Sequence, residues 1–179
     1  MDRNQALKRL ADWDRQGRYV FTRRQLSKLF SDDSPKAFAA GLNRLVRTGQ
    51  LVRACRGVYV NPHAHSFDSR TIERIAQALR PGAYSYISLE SLLSESGAIS
   101  QIPLDRLTVM TTGRKGVYKT PYGVIEFTHT KRLVANVLAG IRQLEGRPLR
   151  VATPSIAWRD LKRVGRNLGL VDPQAIADG

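Results

Sequence analysis

The sequence predicts an α+β fold in two parts. Residues 1–66 read as a winged helix-turn-helix, and residues 67–179 as a small mixed α/β domain with an antiparallel sheet. Three observations predict this. Two runs of helical spacing flank the break SDDSP at 31–35. Two short β-rich runs, LVRAC and GVYV, follow around Arg56-Gly57. Beyond the loop-like cluster NPHAHSFDS, from Asn61 to Ser69, the pattern turns to runs rich in Val, Thr, Tyr and Ile.

The first part justifies itself element by element. Residues 2–16 have helical spacing, with Leu7, Leu10, Ala11 and Trp13 as the inner side and Gly17 as the stop. Tyr19 to Phe21 is a short link able to pair with the wing. Thr22 is a helix cap, because its hydroxyl can accept from an amide one turn on. Leu26, Leu29 and Phe30 follow at helical spacing. Ser34-Pro35 starts the second helix, since proline lacks an N–H that would be unpaired there anyway. Phe38, Leu42, Leu45 and Val46 form its inner stripe, and Gly49 ends it.

In the second part, residues 70–80 predict an amphipathic helix with Ile72, Ile75, Ala76 and Leu79 inward, stopped at Pro81-Gly82. AYSYI reads as a strand, and Ser88 as the cap of LESLLSESG. From Leu104 the runs RLTVMTT, GVYKT and GVIEFTHT predict strands joined by turns at Gly113 and Pro121-Tyr122-Gly123. LVANVLAGIRQLEG has helical spacing, weakened by Gly140. LRVAT predicts a further strand. Thr153-Pro154 opens a helix with Ile156, Ala157, Leu161, Val164 and Leu168 on one side.

The chain has 179 residues, 29 Lys and Arg, 15 Asp and Glu, and a formal net charge of +14. Residues 1–66 hold 13 cationic side chains against 5 carboxylates; the rest holds 16 against 10. The excess is denser where the helix-turn-helix lies. Such a balance points to a polyanionic partner, nucleic acid first. No apolar run is long enough to span a bilayer and no signal peptide is recognisable, so a cytoplasmic protein is expected. A single cysteine, Cys55, excludes an internal disulfide framework.

The outward face of the second helix suits duplex DNA. It carries Lys36, Ala40, Asn43, Arg44 and Arg47, with Ser34 at its start. Asn and Arg each offer two hydrogen bonds to a base edge, and alanine permits close approach. Arg23 and Arg24, in the first turn of the preceding helix, are phosphate candidates, favoured further by the N–H groups of a helix start. Arg53 and Arg56 flank the wing tip. Arg159, Lys162, Arg163 and Arg166 form a possible second basic surface on the last helix.

Chemistry is hard to find. His63 and His65 lack a third ligand nearby, so no metal is expected. Cys55 has no neighbouring base and reads as a small half-buried residue. GRKG at 113–116 lacks the spacing of a phosphate loop. No cofactor and no catalytic constellation are expected; an enzyme reading would have to rest on isolated groups such as Glu126 or His129. The competing binding reading is a protein-interaction module in which the basic face meets an acidic protein.

The order of motifs resembles one family. RGVYVNP at the end of the wing, then YISLESLLSESGAISQIP, LTVMTT, GVIEFTH and LRVATPSIAWRDL, look like the AbiEi antitoxins of type IV toxin–antitoxin systems. The resemblance implies a winged helix that binds operator DNA, with inverted repeats expected, and represses its own operon. It implies a C-terminal antitoxin domain that counters a nucleotidyltransferase-like toxin without a stable complex. Lys36, Asn43, Arg44 and Arg47 would face the groove, and Arg53 and Arg56 would form the wing contact. A general transcriptional regulator without antitoxin activity is the other reading, and the chain binds as monomer or dimer in either case.

Overall fold

A computed structural model describes residues 2–100 and 105–177, which divide between two compact units, Met1–Thr71 and Ile72–Gly179. The Gln101-Ile102-Pro103 end of the resemblance motif and the strand start at Leu104 lie outside the described residues. The fold class is α+β, as expected, with an antiparallel sheet in the first unit.

The first unit runs α1 (Arg3–Asp14), β1 (Val20–Thr22), α2 (Arg23–Leu29), α3 (Pro35–Arg47), β2 (Val52–Cys55) and β3 (Val58–Val60). Both expected caps form. Thr22 Oγ1 accepts from the Gln25 N–H at 3.2 Å, and Gln25 Oε1 accepts from the Thr22 N–H at 2.7 Å, a reciprocal capping box. Ser34 Oγ accepts from the Ala37 N–H at 3.3 Å. The strands pair antiparallel in the order β1-β3-β2, with the Tyr19–Phe21 link supplying β1 and an irregularity between Arg53 and Cys55 bending the wing. Leu10, Phe21, Leu26, Phe38, Leu42 and Leu45 share one core. Each such side chain contributes about 1.5–3 kcal/mol on full burial.

The inner stripe of α1 differs from the expected one. Ala6, Leu10 and Asp14 are buried, Leu7 and Trp13 are half-buried, and Ala11 is exposed. Asp14 is buried because it holds the loop after β3. Its carboxylate accepts from the His65 N–H at 2.7 Å, the Ser66 N–H at 3.0 Å and the Ser66 hydroxyl at 2.5 Å. Burial opposes its charge, but these donors outweigh burial and hold the carboxyl below its usual range. The fully buried Tyr19 donates to Asp68 Oδ1 at 2.8 Å and lies 3.0 Å from Thr71 Oγ1. NPHAHSFDS is therefore fastened to the first unit at several points.

The second unit runs α4 (Thr71–Leu79, starting on the last residue of the first), β4 (Ser85–Ile87), α5 (Leu89–Glu95), β5 (Arg106–Thr111), β6 (Gly116–Thr120) and β7 (Gly123–His129). Then come α6 (Val134–Leu138), β8 (Ile141–Arg142), β9 (Arg150–Ala152), α7 (Pro154–Val164), a 3-10 turn at Leu168–Leu170 and α8 (Gln174–Ala177). Its sheet has the order β6-β7-β5-β4-β9-β8. Three pairings are antiparallel, but β5–β7 and β4–β9 are parallel, so this sheet is mixed. The β6–β7 hairpin folds back to place β7, not β6, beside β5. Simple strand–turn–strand reading misses that step, because only the register of a distant pair decides it.

Two helices are shorter than their spacing suggests. The 131–146 run holds only the five-residue α6 before β8. At Gly140 a Cβ would stand 2.0 Å from Ile156 Cδ1, so any side chain there would have to push the tip of Ile156 on α7 aside. α7 stops at Val164, capped by Gly165 at φ +75°. Ser88 precedes α5 but makes no capping bond; its hydroxyl donates to Asp160 at 2.9 Å instead. The next residue, the fully buried Leu89, sits at φ +59°, a strained backbone held by the packing around it.

Candidate nucleic-acid interface

The interface candidates group around α3. Burying Phe38, Gly41, Leu42 and Leu45 fixes the rotation of this helix on the core. The opposite side is then set: Lys36, Ala40, Asn43, Arg44 and Arg47 are all exposed. They follow at intervals of four, three, one and three, the stripe of one helical face. From Lys36 to Arg47 the stripe runs about 16 Å at 1.5 Å per residue. That exceeds the roughly 12 Å width of a major groove, so one helix can present base-reading and backbone-reading ends together.

Ser34 is exposed, but its hydroxyl is engaged in the cap of α3. Arg23 and Arg24 are exposed at the start of α2. Two N–H groups of that first turn are already used: Arg23 N–H donates to Gly57 O at 2.8 Å, and Gln25 N–H to Thr22. The expected attraction for an anion therefore rests mainly on the two guanidinium groups. The first of those bonds also ties α2 to the wing turn. Arg53 on β2 and Arg56 at the β2–β3 turn are exposed.

Carboxylates near this surface are few. Asp2 is held below its ordinary value, first by the Gln5 N–H it caps and also by the Arg44 charge. Asp32 is occupied by Arg9 at 2.6 Å. Arg9 also donates to Leu29 O at 2.5 Å and lies over the Phe30 ring.

The second basic surface divides. Arg159, Lys162 and Arg163 are exposed on α7, with Lys162 5.3 Å from the Trp158 ring. Arg166 is not with them. Beyond the Gly165 cap it turns back to Glu90 at 2.7 Å and to Glu126, and Asn167 joins Glu90 at 2.9 Å. Sequence spacing placed Arg166 outward because it took the helix to continue.

The isolated groups considered for catalysis are occupied. Glu126 is shared by Arg106 at 2.6 Å and by Arg166. Burial opposes its charge, and the two guanidinium groups outweigh burial and keep the carboxyl low. A general base needs the reverse shift. His129 Nδ1 lies 2.8 Å from Gly113 O, and His63 Nε2 lies 3.0 Å from Gly49 O. Among the described residues no group of three His, Cys, Asp or Glu is placed to hold a metal. Cys55 is half-buried, and burial pushes its thiol up, away from the reactive thiolate.

Sequence reading missed one polar centre in the second unit. Asp160 is buried and accepts from Ser88 and, at 3.1 Å, from the Tyr86 hydroxyl, with Arg132 at 3.5 Å. Burial raises its pKa, and the donors and Arg132 only partly offset that. Its one sequence signal is a carboxylate, between Arg159 and Leu161, on the apolar side of α7.

Residues 8–62 match the family model described as "Transcriptional regulator, AbiEi antitoxin". That span contains most of α1 and the whole of α2, α3 and the wing, so the resemblance drawn from the motifs is matched over this domain. Over that span the winged helix is thus similar to antitoxin-type transcriptional regulators. No curated protein matches the chain. Among solved structures the chain is similar to the RV2827C protein from Mycobacterium tuberculosis, with a TM-score of 0.59 and 14% identity over 99% of this chain and 71% of that one. At that identity the likeness shows a shared fold. No helix among the described residues is long and apolar enough to cross a membrane.

Proposed function

We propose that this chain is the DNA-binding antitoxin of a type IV toxin–antitoxin pair, acting in the cytoplasm. Its winged helix binds operator DNA, as a dimer or as cooperating monomers on inverted repeats, and represses its own operon. The residues after 66 carry the antitoxin activity against a nucleotidyltransferase-like toxin, without a stable complex. The observation that carries the DNA half is the exposed stripe of Lys36, Asn43, Arg44 and Arg47 on an α3 whose opposite side is locked into the core. The regulator family match over the same span supports it. Lys36, Ala40, Asn43, Arg44 and Arg47 enter the major groove. Ser34 lies at the mouth of the groove, Arg23 and Arg24 hold phosphates, and Arg53 and Arg56 meet the flanking groove. Arg159, Lys162 and Arg163 are a second basic surface open to a polyanionic partner.

A gel shift with the chain's own upstream DNA tests this reading. Wild type is expected to bind it in preference to a scrambled duplex, and Arg44→Ala/Arg47→Ala to lose that preference. Equal binding by the two proteins at moderate salt removes the assigned recognition helix. For the toxin half, the chain is expressed with the toxin-like product of the adjacent reading frame. Relief of growth arrest without co-purification is the expected outcome.

A further inference from the structure

The elbow between α2 and the start of α3 encloses a groove of about 600 Å³ that binding of DNA to the α3 stripe does not by itself explain. Part of its lining is apolar: Phe30 and Phe38, both largely buried, lie 6.4 Å apart between ring centroids, and Pro35 joins them. Its rim is polar and uneven. Arg23 and Arg24 come from the first turn of α2, Ser27 from its middle, and Asp33 from the turn that follows it. Two guanidinium groups against one carboxylate favour an anion. A bare phosphate would leave the aromatic lining wet, and a polypeptide needs a longer trough. The volume lies within the roughly 300–1,000 Å³ usual for small-molecule sites, which pair an apolar lining with a few fixed polar groups.

We propose that this groove binds a small aromatic acid. Its carboxylate lies on Arg23 and Arg24 and its ring on Phe30 and Phe38. Because the proposed DNA contacts use the same two arginines, such an acid displaces DNA and acts as an effector. The displacement rests on the DNA-binding reading; the binding does not. Competition for shared groups weakens apparent DNA affinity by 1 + [L]/Kd, about tenfold when the acid is at some nine times its own Kd.

The probe is 6-hydroxy-2-naphthoate, which carries an acid and a hydroxyl at opposite ends of two fused rings. Its binding to the free chain is followed by calorimetry and by its own fluorescence, with acetate and 2-naphthol as charge-only and ring-only controls. Saturable one-to-one binding is expected, much weaker for either control. Arg23→Ala/Arg24→Ala is expected to weaken it at least about tenfold, the loss of roughly 1.4 kcal/mol. Ser27→Trp, which fills the groove from an exposed helix position, is expected to abolish it while circular dichroism and the melting temperature stay at wild-type values. Absence of saturable binding to wild type, or equal binding by a folded Ser27→Trp, overturns the site. Anisotropy with labelled operator then tests displacement. A chain that binds both probe and DNA but keeps its DNA affinity at saturating probe overturns the effector role. A chain that binds the probe and no DNA at all overturns the DNA reading and leaves the small-molecule site standing.

Discussion

Four exposed arginines neutralise backbone charge: Arg23 and Arg24 on phosphates, and Arg53 and Arg56 from within the flanking groove. Each neutralised phosphate releases counterions, so four contacts give a slope of log affinity against log salt of about −3.6. Raising salt fourfold, from 50 to 200 mM, should then weaken binding about 150-fold. Replacing Arg23 and Arg24 by Ala removes two contacts and leaves a slope of about −1.8, a loss of only about 12-fold over the same range. The cost should fall alike on the operator and on a scrambled duplex, because phosphate contacts carry no sequence information. Asn43→Ala should behave in the opposite way. It keeps the slope, weakens operator binding by about 1–3 kcal/mol and leaves scrambled DNA untouched.

The assay is fluorescence anisotropy of both duplexes with the three proteins at four salt concentrations. A double-arginine variant whose slope equals that of wild type would show that these side chains meet no phosphate. An Asn43→Ala variant that loses affinity equally for both duplexes would take the base-reading role from α3. The first result refutes the phosphate role of α2, and the second refutes the orientation argued from the buried side of α3.

Other expectations follow from buried polar groups and close packing. Asp14→Ala leaves the His65 and Ser66 amides without their acceptor and should cost about 3 kcal/mol, measured as a lower melting temperature. The Asp14 carboxyl is depressed in the folded chain, so its contribution is fully present above the unfolded value near 3.9 and disappears as pH falls through the folded one. Urea midpoints of Asp14→Asn should therefore fall less steeply than those of wild type below about pH 4; parallel curves would assign the acid sensitivity elsewhere. Gly140→Ala should destabilise by about 1–3 kcal/mol through its clash with Ile156 Cδ1. Adding Ile156→Val, which deletes that atom, should recover most of the loss in a double-mutant cycle, and no recovery would place the strain in the backbone. Glu73→Ala strips the buried Arg147 of its more buried partner, at 2.8 Å, and should cost about 3–5 kcal/mol by chemical denaturation, more than Glu95→Ala, whose carboxylate is partly exposed.

How far the sequence could be read depended on how local the deciding contact was. Thr22 and Ser34 announce their helices because a cap bonds within three residues of itself. Phe38, Leu42 and Leu45 announce the rotation of α3 because one helical turn repeats on the next. Asp14 and Asp160 gave no such notice: their donors lie 51 and 72 to 74 positions away. The parallel β5–β7 pairing is hidden for the same reason, since β6 intervenes in the chain and not in the sheet.

Arg163 and Arg166 show the boundary most sharply. Both follow Arg159 at helical intervals, and a continuous helix would point both at solvent. Gly165 decides between them. Its left-handed conformation ends α7 after Val164, so Arg163 keeps the helical direction while Arg166 leaves it. Once released, Arg166 reaches two carboxylates that are themselves largely buried, Glu90 and Glu126, each worse off without a cation than exposed arginine is without an anion. The basic surface of the second unit therefore loses a charge to the interior of its own domain. What the sequence displays as a row of four cations is, on α7, a surface of three and a clamp.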